Sequence, residues 1–213
     1  MLFDLHLGSA VQCTHQNRFD YFIHLCQVQF DKPVNTMIEM RDRQNKKLRG
    51  DLFECFCQRY LERVYGKDLF THVWLWTDVP DDIRNTLGLN LRDEGIDLVA
   101  VDIKGRYYAI QSKYRKIRPE KSKQFVSWKS LSTFYALSYR IGKFYKHIVM
   151  TNLDGVRHVT KKTVKDVSMC KKRFQNMTYW QWRSMLNDVS VTQEVTTTNE
   201  EVRLKRLAYY NKN

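Results

Sequence analysis

The sequence predicts an α/β domain in which a mixed sheet is flanked by helices. Three observations carry that reading. Two short apolar runs, residues 96–102 and 106–114, flank a tight turn at Lys104-Gly105 and read as adjacent strands. Upstream, Leu52, Phe53, Phe56, Cys57, Tyr60, Leu61 and Val64 recur at the 3, 4, 7 spacing of a buried helical stripe. Downstream, a second helical pattern over 127–141 is followed by an apolar run at 146–151, giving helix and then strand.

Taken in order, residues 1–32 form an apolar lead-in with a helix predicted from Arg18 to Phe30, broken by Pro33. A longer helix is expected from Asn35 to Tyr65, with an interruption at Gly50 and a C-cap at Gly66. Residues 70–77 read as a strand. Trp74 and Trp76 alternate along it and would share a face, for packing or for base stacking. Pro80, Asp81 and Asp82 open a short helix or loop through Leu87. After the strand pair comes a basic loop, 115–125, containing Pro119. Trp128, Leu131, Phe134, Tyr135, Leu137 and Ser138 then give the second helix. The strand over 146–151 ends in a turn at Asn152-Leu153-Asp154-Gly155, and Tyr179 to Asn187 reads as a last short core helix. From Ser190 onward the chain turns polar and then strongly charged.

Composition narrows the partners. The 36 Lys and Arg outweigh 23 Asp and Glu, giving a net charge of +13. Such an excess suits a polyanion, although charge scattered over a basic surface would give the same total. Here it is clustered. Lys104, Arg106, Lys113, Arg115, Lys116, Arg118, Lys121 and Lys123 fall within twenty residues containing a single acid, Glu120. The five cysteines show no framework spacing, so free thiols and a reducing intracellular compartment are expected. Cys55 and Cys57 have no second Cys or His pair to complete a zinc site. Neither a signal peptide nor a membrane span is expected from the apolar runs present.

The chemistry concentrates on the strand pair. Side chains at i and i+2 share a face, so Gln111 and Lys113 project together beside the strand that carries Asp97. A carboxylate, an amide oxygen and an ammonium on one side of a sheet can hold Mg²⁺ or Mn²⁺ and a water against a phosphate. Lys113 would orient the water or stabilise the oxyanion. Glu54, at the edge of the helical stripe, is the best acid to complete the set, and Glu94 is a candidate for a second ion. His72 is a candidate neighbour or an ordinary strand-edge histidine. Arg115, Lys116, Arg118, Lys121 and Lys123 would contact nucleic-acid backbone.

The spacing of Asp97, Gln111 and Lys113, with Glu54 upstream, resembles the PD-(D/E)xK nuclease superfamily. Glutamine before Lys113 is similar to the Mrr-like restriction endonuclease branch. Arg49-Gly50-Asp51-Leu52-Phe53-Glu54, Val73-Trp74-Leu75-Trp76, Glu94-Gly95-Ile96-Asp97-Leu98-Val99-Ala100 and Ala109-Ile110-Gln111-Ser112-Lys113 resemble the nuclease module placed before superfamily 2 helicases in restriction-modification enzymes and large DNA viruses. The likeness covers roughly 45–155. The order of elements sets off a helical lead-in over 1–44, and the likeness implies a restriction-endonuclease-like fold. The nuclease domain would span 45–189, with a charged tail or linker over 190–213. It also implies metal-dependent DNA cleavage with Glu54, Asp97, Gln111 and Lys113 as the catalytic set and Asp97, Gln111 and Glu54 as metal ligands. A homodimer and a helicase domain or subunit are the partners it suggests besides DNA. The competing readings keep the fold without the chemistry: a DNA-binding module, or a structural protein that binds nucleic acid by charge alone.

Overall fold

The computed structural model describes residues 2–28, 39–90, 95–157 and 166–186. Its centre is a mixed five-stranded sheet in the order β1 (Phe70–Leu75), β2 (Leu98–Asp102), β3 (Tyr107–Lys113), β5 (Phe144–Thr151), β7 (Asp166–Met169). The first three strands run antiparallel, and β3–β5 and β5–β7 are parallel. A parallel step needs a crossover. Between β3 and β5 it is supplied by α5 (Ser132–Ile141). Two short strands, β4 (Phe125–Ser127) and β6 (Gly155–Arg157), pair in parallel beside it.

Alternation along the strands sorts the core into two halves. Leu98, Ala100, Tyr108, Ile110, Ile148 and Met150 meet a helical layer. That layer contains α1 (Leu2–Gln12), α2 (Arg18–Val28), α3 (Glu39–Tyr60), α6 (Lys171–Gln175) and α7 (Tyr179–Ser184). Val99, Ala109 and Val149 face the other way, onto Phe134 and Tyr135 of α5 and Leu87 of α4 (Asp81–Leu87). The α/β architecture with helices on both faces is the one expected. Phe3, Leu7, Phe19 and Phe22 of the lead-in belong to the same core as Phe53 and Phe56 of α3.

Several local expectations are corrected. Helix α3 runs through Gly50 without a break and passes into a π-turn, Leu61–Tyr65. Gly66 ends it, though with φ of −108° and not as a left-handed cap. Glycine is needed there for space, because a Cβ would lie 2.2 Å from the Phe70 ring and 2.4 Å from the Leu61 carbonyl oxygen. Trp76 leaves the strand for a 3₁₀ turn, where it is buried under the Arg84 guanidinium. Its carbonyl accepts from Arg84, so Trp76 is core. Trp74 instead stacks on the exposed His72. The helix expected over 127–141 is divided into the end of β4, a 3₁₀ turn (Trp128–Leu131) and α5. Glu94 and the tail from Ser190 lie outside the described residues.

Asp102 locks the β2–β3 hairpin. Its carboxylate accepts from the Lys104 and Arg106 amides, the Arg106 guanidinium and the Tyr108 hydroxyl. Burial pushes its pKa up, but those hydrogen bonds outweigh burial and hold it at about 2. A depressed folded pKa means stability that is present above the ordinary value of 3.8 and is lost as pH falls towards the folded value. Thermal melts of wild type are therefore expected to weaken between those two pH values, and Asp102→Asn should flatten that part of the profile. An unchanged acid limb in Asp102→Asn would show that other carboxylates set it.

Candidate active site

Asp97 and Gln111 meet where β2 begins and β3 ends. Asp97 sits one residue before regular β2, not within it. The chain there is still tied into the sheet: the Asp97 amide donates to the Ile110 carbonyl at 3.0 Å, and the Trp76 amide donates to the Asp97 carbonyl at 2.8 Å. These bonds fix the side chain's origin. Its Oδ2 accepts from the Gln111 side-chain amide and, at 2.7 Å, from the Ser112 backbone amide. Gln111 also donates to the Ser112 carbonyl at 3.2 Å. Asp97, Gln111 and Ser112 are all buried, so these polar groups are held in a low-dielectric setting where each bond is costly to lose.

Gly95 makes the approach to this pair possible. Its φ is +110°, a conformation that side chains rarely adopt. A Cβ there would come within 3.7 Å of Gln111 Oε1 and 3.5 Å of the Phe134 amide at the start of α5. The Gly-Ile-Asp run thus curls against α5 before entering the sheet.

Glu54 comes from α3, on the helical side of the sheet, and is half-buried. Its Oε1 lies 4.0 Å from the place a Gly50 Cβ would occupy, so the side chain folds back one turn along the helix. Cys57, one turn further on, is fully buried. Burial first, and then the negative charges of Glu54 and Asp97, push the Cys57 thiol well above its usual pKa. The two carboxylates therefore lie within electrostatic reach of one buried sulfur.

Lys113 is two residues beyond Gln111 on β3 and half-buried. Its carbonyl accepts the Thr151 hydroxyl at 2.8 Å, which pins the end of β3 to β5. The chain then leaves the sheet as the basic loop. Asn152 holds that loop from both sides, accepting from the Arg115 amide at 2.8 Å and donating to the Arg115 carbonyl at 2.7 Å. Gln124 does the same for Arg118. Arg115, Lys116, Arg118, Lys121 and Lys123 are all exposed on this braced backbone. Sequence reasoning did not single out Asn152 or Gln124, which act across distances in the chain that spacing does not reveal.

The oxygen donors fit a hard divalent cation. Carboxylates from Asp97 and Glu54 and the Gln111 amide oxygen are the available side-chain groups. The amide shows its NH₂ to Asp97, and a half-turn about its last torsion would present the oxygen there instead. Among the described residues no group of three or more His, Cys, Asp or Glu is placed to hold a metal ion. No helix among them is long and apolar enough to cross a membrane.

A family model described as restriction endonuclease matches residues 62–198. The span takes in Asp97, Gln111, Lys113 and the basic loop, while Glu54 precedes it. No curated protein and no solved structure matches the chain.

Proposed function

The chain belongs to the restriction endonuclease family, as an Mrr-like PD-(D/E)xK nuclease, and from that premise we propose a divalent-metal-dependent DNA endonuclease. One observation carries the finer reading. Asp97 and Gln111 converge at the end of the sheet, with Lys113 two residues on and a braced basic loop directly after it.

Asp97, Gln111 and Glu54 would hold Mg²⁺ or Mn²⁺, which when bound neutralises phosphate charge and lowers the pKa of a water. The remaining work falls to the chain. The Ser112 amide and the sheet fix the Asp97 carboxylate before substrate arrives. Lys113 presents its ammonium to the attacking water or to the oxyanion that develops at phosphorus. The loop cations fix the strand by its phosphates, which sets position without reading sequence. Cutting both strands of a duplex takes two such sites, so a homodimer is the assembly we propose. A helicase domain or subunit, and a viral or mobile-element origin, rest on the sequence resemblance alone.

Plasmid nicking with Mg²⁺ or Mn²⁺, beside a chelator control, tests the activity. Metal-dependent conversion of supercoiled plasmid is expected. Binding without any cleavage under either ion would favour a module that keeps the fold for recognition alone.

The loop has its own expected result. Removing charge at Arg115, Lys116 and Arg118 together should weaken DNA binding and flatten its salt dependence. Each lost phosphate contact reduces the slope of log K against log salt by roughly 0.9 for duplex DNA. An unchanged slope in the triple variant, measured by anisotropy over a salt series, would put the DNA path elsewhere.

A further inference from the structure

Beside the candidate active site lies a second polar site. A cavity of about 150 Å³ opens between the basic loop, the end of β5 and the start of α6. Arg118, Lys121 and Lys171 line it with Gln124, Asn152 and Asp154. Asp154 already accepts the Gln124 amide at 2.7 Å, and Lys171 also pairs with Asp20 at 3.5 Å. With Asp154 in the lining and Asp20 on Lys171, the three cations still leave an excess of positive charge in the hollow. The frame is fixed: Asn152 and Gln124 brace the loop, and the Lys171 amide donates to the Leu153 carbonyl at 2.9 Å.

Size and charge together select the ligand. At about 150 Å³ the cavity has room for a single phosphate group, and a further hollow of about 220 Å³ adjoins it at Ile117, Asn152 and Lys171. A phosphomonoester brings close to two negative charges and three oxygens free of a second ester, whereas an internal phosphodiester brings one charge and must pass through. The hollow is concave, with Leu153 and Ile117 among its walls, and an end group suits it better than a continuing backbone. Its location matters as well. Asn152 directly follows Thr151, the register partner of Lys113, so the cavity lies one strand over from the candidate chemistry.

We propose that this cavity is a receptor for the terminal phosphate of a DNA strand, holding a phosphorylated end so that a nearby linkage reaches Asp97 and Lys113. The inference rests on the nuclease reading for its biological sense, but the binding it claims is measurable without cleavage. Binding of the full chain to matched short DNAs, in chelator, would be read by anisotropy. The DNAs would carry a 5′-phosphate, a 3′-phosphate or hydroxyls at both ends. One phosphorylated end should bind about tenfold more tightly than the hydroxyl-ended DNA, the scale of new charge-assisted hydrogen bonds. Lys171→Ala, which keeps the backbone amide that holds Leu153, should erase that difference while leaving hydroxyl-ended binding within a few-fold. Arg118→Ala should act in the same direction. Equal affinity for all three DNAs in wild type, or an end preference that survives both substitutions, overturns the proposal. Failure of the nuclease reading would look different: phosphate-end preference would persist with no metal-dependent cleavage of any substrate.

Discussion

Asp97→Asn is expected to fold like wild type and to lose cleavage by at least about a hundredfold, the scale of one missing electrostatic contact in a transition state. The choice of asparagine matters. Asp97 is buried, and its Oδ2 accepts the Ser112 amide at 2.7 Å. Alanine would leave that buried N–H without its acceptor, at a cost of about 1–3 kcal/mol, and a folding defect could then pass for a chemical one. Asparagine keeps a carbonyl oxygen for Ser112 while removing the negative charge. The comparison therefore separates two roles of one residue. Asp97→Ala should melt at lower temperature and be inactive. Asp97→Asn should melt near wild type, bind Mn²⁺ weakly and be nearly as inactive. If Asp97→Asn cuts plasmid at the wild-type rate, the carboxylate is only a structural anchor for the β3 backbone and the assigned chemistry falls.

The distinction between what was and was not legible in the sequence follows the range of the forces involved. The β2–β3 hairpin is local. Its turn, its apolar alternation and the i, i+2 placement of Gln111 and Lys113 are all set within about twenty residues, and the structure brings Gln111 to Asp97 as that pattern implies. The α3 stripe is likewise read from its own period, with Phe53, Phe56 and Cys57 buried. Helix α1 falls inside the expected helical lead-in, where Arg18 to Phe30 is the one helix the sequence delimits; its buried residues, Phe3, His6, Leu7, Ala10 and Val11, carry the helical spacing in full. Strand β7 was not legible. Four residues, Asp-Val-Ser-Met, alternate polar and apolar but are too few to mark a strand by themselves, and they become one because β5 offers an open edge. Asp97 falls just outside β2 for a similar reason. Its backbone bonds go to Trp76 and Ile110, partners that only the tertiary fold supplies. The cavity beside Lys171 was beyond reach altogether, because it joins residues 117–124 to 152–154 and 171.

Lys113→Ala separates catalysis from metal binding. Lys113 offers no oxygen to a cation, so a divalent ion should titrate almost as in wild type. The fold should also survive, since the bond that ties this position to β5 uses the Lys113 backbone carbonyl and the Thr151 hydroxyl, not the side chain. Single-turnover cleavage should nevertheless fall by about a hundred- to a thousandfold, because a donor aimed at developing charge has been removed. Lys113→Arg sharpens the result. It restores a positive charge but spreads it over a planar fork that cannot take the place of a compact ammonium in a half-buried setting, so it should recover only part of the rate. Lys113 must be distinguished from the loop cations that follow it. A loop substitution changes DNA affinity and its salt slope, whereas Lys113→Ala should change the rate at saturating DNA with affinity within a few-fold. Wild-type single-turnover rates in Lys113→Ala would make the sheet-end cluster a recognition site, and the cleavage would have to come from elsewhere.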